Sequence, residues 1–504
     1  MTVDHATRVR AEVALARATI GYLWCGIALF LVLTAPTIFS ADSFSYKDRT
    51  HRNLQMAWLS LEGKWNRSPT IVVPFALLGS NTTIEYGQTV LLGLAFTFLI
   101  LTVYRIEWIG IVTKAVLGFL LATMVLSPDM LSWNLQIASE SLSVSYALFA
   151  FAGSLRFLLR WEPKWLVLSS GAAMFAISAK ATLGFIFVPL IGAELVVFGW
   201  RVRLQRRHRD PRSHLPGLLR PAGLVTGVCL MMGTGILYVS MQDHTSLNKG
   251  IGKEKDAVIH LISVEDPINA SIRGSLRTTD IPKCVPLNRA VPYSRISPLE
   301  FRLTTSCPRF TSWSVHQYPT WYAEFLLSHP GKVRKLVADL LPYSLGYGLH
   351  EQGVFAEIPP VSDVIWGASS VPTAQVHASS PELPPLGFED LVYPAVGAVN
   401  GAGIWLLLVR RRRRTVGAQR LRLFWYFLFI IDAAVFVIVS QVLFLTNTGL
   451  GAERIALEAN VLLRVSLIFV IGLAIPWFRA QWRRRAPDED GAPARADVGA
   501  PVTR

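Results

Sequence analysis

Residues 165–200 read WLVLSSGAAMFAISAKATLGFIFVPLIGAELVVFGW, an apolar run whose only charged side chains are Lys180 and Glu194. As one helix it would measure ~54 Å at 1.5 Å per residue. A hydrocarbon core is ~30 Å thick, so that length does not fit even when tilted. Two shorter helices that turn at SAKAT do fit, with Lys180 at the turn. This reading decides the fold, because it sets the side of the membrane on which every later loop emerges.

The rest of the chain falls into register around it. Apolar runs predict further spans at about 18–39, 86–104, 109–127, 137–157, 222–240, 394–409, 422–446 and 459–477. With the two halves of 165–200 they make about ten transmembrane helices. The expected fold class is therefore an all-α polytopic membrane protein. Over the 504 residues, 52% are hydrophobic and only 16% charged, where soluble domains run nearer a quarter charged. An apolar β-barrel would alternate in hydropathy, and these runs do not.

A net charge of +15 invites a nucleic-acid reading, and the placement of the charge argues against it. Arg201, Arg203, Arg206, Arg207, Arg209, Arg212 and Arg220 fill one short loop, and Arg410–Arg414, Arg420 and Arg422 another. Residues 242–393, by contrast, hold 13 Lys/Arg against 15 Asp/Glu. The basic excess thus reports orientation by the positive-inside rule. It places both termini in the cytoplasm of an inner (plasma) membrane and leaves 242–393 outside. The first apolar run is long and lacks a small-residue cleavage site, so it reads as a retained helix rather than a signal peptide.

The domain organisation follows. Residues 1–241 form an N-terminal membrane module with a first outer loop at 40–85, and 242–393 a mixed extracytoplasmic domain between helices 7 and 8. Residues 394–478 hold the last helices, and 479–504 a disordered cytoplasmic tail rich in Pro, Ala, Asp and Gly. In the first outer loop MAWLSLEGKW and IVVPFALLG are too short to span and read as interfacial helices. A helical stretch is expected near 319–342. Cys25 and Cys229 lie in apolar runs as packing residues. Cys284 and Cys307 lie in the outer segment, where a disulfide fits better than a metal site.

Four polar places face outward. One is TIFSADSFSYKDRTHRN (37–53), just past the first span, with Asp42, Tyr46, Asp48, Arg49 and His51. The second runs from Asp129 to Glu140 in WNLQIASESLSVS. The third is Lys180. The fourth is GLGAERIALEAN, with Glu453, Arg454 and Glu458. A carboxylate one turn into an apolar helix, as Glu140 is, faces either a wet cavity or a satisfied interhelical contact. Lys180 fits a snorkelling interfacial lysine and a phosphate ligand equally well. Arg454 is a phosphate ligand or a structural partner of Glu453 or Glu458. Acidic groups can take a proton from a hydroxyl or hold a divalent cation, and basic groups can hold a leaving phosphate. No Gly-rich phosphate loop and no Ser/His/Asp nucleophile set is present.

DSFSY after the first span, SESL opening a later helix, and GAERIALEANVLLR leading into the last helix together resemble the polytopic GT-C glycosyltransferase superfamily. That resemblance implies a catalytic acid in the first outer loop, here Asp42, and a further acid at Asp129 or Glu140. It implies carrier-phosphate contacts at Lys180 and Arg454, and places Tyr46, Arg49, His51 and Glu453 in the substrate-binding surroundings. The implied activity is inverting transfer of a sugar, such as arabinose or mannose, from a polyprenyl-phosphate donor to a cell-envelope acceptor on the outer face. A divalent cation (Mg or Mn) is a candidate cofactor. The chain departs from the superfamily by inserting its soluble domain between helices 7 and 8, and by lacking a paired acidic dipeptide in the first loop. The competing readings are a lipid-linked-sugar flippase and a non-catalytic envelope-assembly protein. Asp48 is the nearby alternative to Asp42 as base.

Overall fold

The computed structural model describes residues 5–33, 80–127, 139–207, 227–233, 281–286, 306–331, 416–444 and 452–485, with positions 74, 75, 77, 78, 130, 131, 134, 257, 261, 299, 302 and 303 between them. The longer elements are α1 (His5–Leu33), α2 (Asn81–Tyr104), α3 (Ile111–Val125), α4 (Ser139–Arg160), α5 (Pro163–Ala179), a 3-10 turn (Ala181–Leu183), α6 (Gly184–Arg207), α7 (Pro308–His316), α8 (Tyr318–Ser328), α9 (Val416–Phe444) and α10 (Ala452–Arg485). No β-strand occurs among the described residues. Among the described residues, five helices are long and apolar enough to cross a membrane: α1, α2, α4, α9 and α10. Ile111–Val125 and Gly184–Gly199 are shorter apolar helices. The protein is all-α, with the composition of a membrane protein.

The 165–200 run breaks at Lys180. That residue leaves the helical region (φ −144°, ψ 104°) and closes α5. Its backbone stays satisfied on both sides: its N–H donates to Ala176 O at 2.8 Å, and its carbonyl accepts from Leu183 N–H at 3.1 Å. The turn therefore forfeits no backbone bond at this residue, which apolar surroundings require.

Cross-helix contacts fix the order of packing. Trp24 Nε1 donates to Thr97 Oγ1 at 3.1 Å, and Thr19 Oγ1 lies 3.2 Å from Tyr104 Oη, so α1 and α2 run antiparallel. The α3 residue Lys114 reaches Glu12 Oε2 at 2.8 Å and Tyr104 O at 3.1 Å, tying three helices at one end. Arg156 of α4 donates through Nε to Thr102 Oγ1 of α2 at 2.8 Å, its guanidinium 3.9 Å above the Phe98 ring. A two-residue link joins α4 to α5, and the helices return closely packed. A Cβ on Gly153 would lie 3.0 Å from Ser169 N, so a larger residue would have to push the two backbones apart. Ser169 Oγ uses the contact to donate to Ala150 O at 2.9 Å. Lipid offers helices no hydrophobic driving force towards each other, so such close packing holds them instead. Phe427 of α9 stacks on Phe469 of α10 at 4.6 Å, and both meet Phe151 of α4 at 6.0 and 6.2 Å. Within its membrane-spanning window α4 is 78% buried, against 22% for α1, so α4 is central and α1 peripheral.

These registers give the bundle two unlike ends. Arg8, Arg105, Arg160, Lys164 and Arg420 lie at one, together with the α4–α5 link. The helix starts of α2, α4 and α10 and the break at Lys180 lie at the other. Outside the bundle, a disulfide joins Cys284 to Cys307 across a Cα–Cα distance of 6.3 Å. Cys307 is the N-cap of α7. Phe310, Trp313, Tyr318, Tyr322 and Phe325 of α7 and α8 are buried next to it.

Several boundaries differ from the sequence expectation. The first helix begins at His5 rather than near 18. The last runs to Arg485, past the expected end near 477 and into the expected tail. Both extensions are rich in good helix formers such as Ala, Arg, Glu and Gln, and basic residues in a last turn complement the helix dipole. The described parts of 242–393 are helical or turn, not mixed with strands. Of the expected 222–240 span only 227–233 is described, as helix. The 394–409 span and most of the 40–85 loop lie outside the described residues.

Candidate functional site

The non-basic end gathers its polar groups where three helix termini meet. Glu140 stands in the first turn of α4, and Glu458 in the second turn of α10. Lys180 follows the last residue of α5. Helix N-termini favour carboxylates and C-termini favour cations, so each charge sits at the end of the dipole that suits it. Lys180 Nζ lies 3.7 Å from Glu140 Oε1 and 4.0 Å from Glu458 Oε1. Ser143, one turn below Glu140, donates to Glu458 Oε1 at 2.5 Å and lies 2.8 Å from Glu140 O.

Burial separates the roles of these groups. The two carboxylate side chains are 4% and 2% exposed, whereas that of Lys180 is 18% exposed. The ammonium is the most open of the three groups. Its distances to both carboxylates exceed a hydrogen bond. It is thus held by charge, and among the described residues it has no hydrogen-bond partner.

The polar groups continue inward. Ser141 donates to Asn134 Oδ1, and Asn134 Nδ2 donates to Met130 O at 2.8 Å. Two residues beyond Glu458, the buried Asn460 accepts from Arg464 Nε at 3.0 Å. Arg464 lies six residues past Glu458, ~9 Å further along the helix. An intramembrane arginine is rare and marks a functional path or a paired contact.

Of the residues singled out in the sequence, the structure brings Glu140, Lys180 and Glu458 into one cluster. Glu453 and Arg454 fall in the first turn of α10, at the same end, with side chains outside the described residues. Asp42, Tyr46, Asp48, Arg49, His51 and Asp129 also lie outside them. No group of three His, Cys, Asp or Glu that could hold a metal ion occurs among the described residues. Lys180 supplies the positive charge between Glu140 and Glu458.

No protein-family model, curated protein or solved structure matches the chain.

Three contributors had no assigned role in the sequence reading. Ser143 is one of many serines in SESLSVS, and nothing local distinguishes it. Asn460 and Arg464 carried a readable signal, since an Asn/Arg pair at i,i+4 on an apolar helix has to face a partner. A separate buried carboxyl, Glu194 of α6, accepts from Ser154 Oγ of α4 deeper in the bundle. Its Oε2 meets no hydrogen-bond partner among the described residues.

Proposed function

We propose that the chain is an inverting glycosyltransferase that moves a sugar from a polyprenyl-phosphate carrier to a cell-envelope acceptor at the non-basic end of the bundle. The observation that carries this reading is the Glu140–Lys180–Glu458 cluster. It holds a partly exposed ammonium at the end of the bundle opposite the arginines. By the positive-inside rule that end faces away from the cytoplasm, where lipid-linked sugars meet envelope acceptors.

Asp42 is assigned as the base. It takes the proton of the acceptor hydroxyl, and the acceptor oxygen attacks the anomeric carbon from the face opposite the phosphate. The bond between that carbon and the phosphate oxygen breaks, and polyprenyl phosphate leaves with the bonding pair. Lys180 stabilises the charge that develops on the phosphate, an effect that is strong where water is excluded. Arg454 lies at the same end as a second cation. Glu140 and Glu458 hold Lys180 in place, and Ser143 orients Glu458. Asp129 stands as a further acid in the neighbouring connection. Tyr46, Arg49, His51 and Glu453 are assigned to substrate binding.

The test is transfer by the purified chain in proteoliposomes, with a panel of polyprenyl-phosphate sugars as donors. Wild type transfers at least one of them, and Asp42→Asn, folded to the same degree, loses transfer by about a hundredfold or more. Full transfer by Asp42→Asn removes that residue from the base role and directs the same measurement to Asp48. Absence of transfer with every donor refutes the enzyme reading and favours a lipid-linked-sugar flippase.

A further inference from the structure

The basic end holds two buried donors with nothing to donate to among the described residues. Trp108 Nε1, in the loop between α2 and α3, and Arg420 Nε, in the second turn of α9, are both shielded from solvent and have no hydrogen-bond partner there. The two belong to one place, since the Arg420 guanidinium carbon lies 5.0 Å from the centre of the Trp108 ring. A buried donor without an acceptor costs about 1–3 kcal/mol. Two such donors from different elements, side by side and one of them cationic, call for a shared acceptor bearing negative charge.

We propose that Trp108 and Arg420 form a binding site for the phosphate group of an acidic phospholipid. A phosphate diester offers two unesterified oxygens, enough for the indole N–H and the guanidinium together. Gly110, the N-cap of α3, has no side chain to cap the helix, and the first turn of α3 has no acidic residue. Its positive dipole end thus begins next to Trp108. Arg105 and Glu107 are both exposed in the same loop and offset one another.

The lipid, rather than a dissolved phosphate, is indicated by what lies beyond the site. Val112, Val116 and Phe119 are 67%, 47% and 52% exposed. At spacings of four and three residues they make one apolar stripe on α3, leading from Trp108 towards the middle of the bilayer. A headgroup at Trp108 and Arg420 would lay its acyl chains along that stripe. Neighbouring cations lie over aromatic rings at the same end, Arg422 over Trp161 at 5.6 Å and Lys164 over Trp165 at 5.2 Å. Tryptophan and basic side chains at this depth are where acidic headgroups collect. The site lies at the opposite end from the Glu140–Lys180–Glu458 cluster, so it stands whether or not the chain transfers sugars.

The test is native mass spectrometry of the detergent-purified full chain, titrated separately with phosphatidylglycerol, phosphatidylcholine and inorganic phosphate. Wild type binds phosphatidylglycerol most tightly. Trp108→Phe keeps the ring and removes only the N–H, and Arg420→Gln removes the charge. Each weakens the tightest phosphatidylglycerol site by about tenfold and leaves phosphatidylcholine binding unchanged, which also reports that the variants are folded. Phosphatidylglycerol bound by both variants with wild-type affinity overturns the site. Inorganic phosphate bound as tightly as the lipid overturns its assignment to a phospholipid.

Discussion

Trp161 adopts φ 61°, a left-handed backbone conformation that glycine tolerates and a bulky side chain does not favour. Such a residue costs about 1–2 kcal/mol relative to the right-handed helix. It ends α4 and lets the chain turn straight into α5. The ring compensates by packing edge-on against Phe157, with centroids 5.3 Å apart, and by lying beneath Arg422. Strain and packing can be separated by mutation. Trp161→Gly and Trp161→Ala both lose the ring, but only glycine relaxes the backbone. In chemical unfolding of the detergent-solubilised protein, Trp161→Ala should therefore be less stable than Trp161→Gly by about 1 kcal/mol. Equal stability would mean that the left-handed conformation carries no strain.

The α4–α5 hairpin depends on backbone contact at Gly153. Its missing Cβ would lie 3.0 and 3.1 Å from backbone atoms of Ser169, which cannot swing aside as a side-chain tip can. Gly153→Ala should thus destabilise by about 1–3 kcal/mol through overpacking. Gly192 of α6 has nothing within 4 Å of its built Cβ. Gly192→Ala should leave stability unchanged or raise it by up to about 1 kcal/mol through helix propensity. Thermal unfolding of the two variants side by side checks the contrast. At this scale the sequence was most readable. Bilayer thickness alone required a break in 165–200, and the break is at Lys180, the polar residue in its middle. Helix ends were less readable, because α1 and α10 continue past their apolar cores on residues with good helix propensity. Glu140 and Lys180 could be singled out because a charge in an apolar run is conspicuous. Glu458 stood out in the same way, but its meeting with them did not, since Glu458 and Ser143 join through α10–α4 packing, a relation between segments more than 300 residues apart. Local spacing does not encode such a contact.

The whole molecule is organised by the difference between its two ends. Arg203, on the last turns of α6, and Glu324, on α8, are both exposed, and the topology expected from loop charge would put them on opposite sides of the membrane. In a Cys25→Ala, Cys229→Ala background, Glu324→Cys should react with a membrane-impermeant maleimide in intact cells. Arg203→Cys should react only after permeabilisation. The reverse pattern would put the Glu140–Lys180–Glu458 cluster on the cytoplasmic side and remove the setting for transfer to an envelope acceptor.

Lys180 gives the sharpest test, because charge on the leaving phosphate is what the cluster is assigned to stabilise. Transfer from a polyprenyl-phosphate sugar is measured with wild type, Lys180→Arg and Lys180→Gln in proteoliposomes. Lys180→Gln should lose transfer by about a hundredfold, and Lys180→Arg should recover part of it by keeping the positive charge. Wild-type turnover by Lys180→Gln would contradict the assignment of this cluster to catalysis.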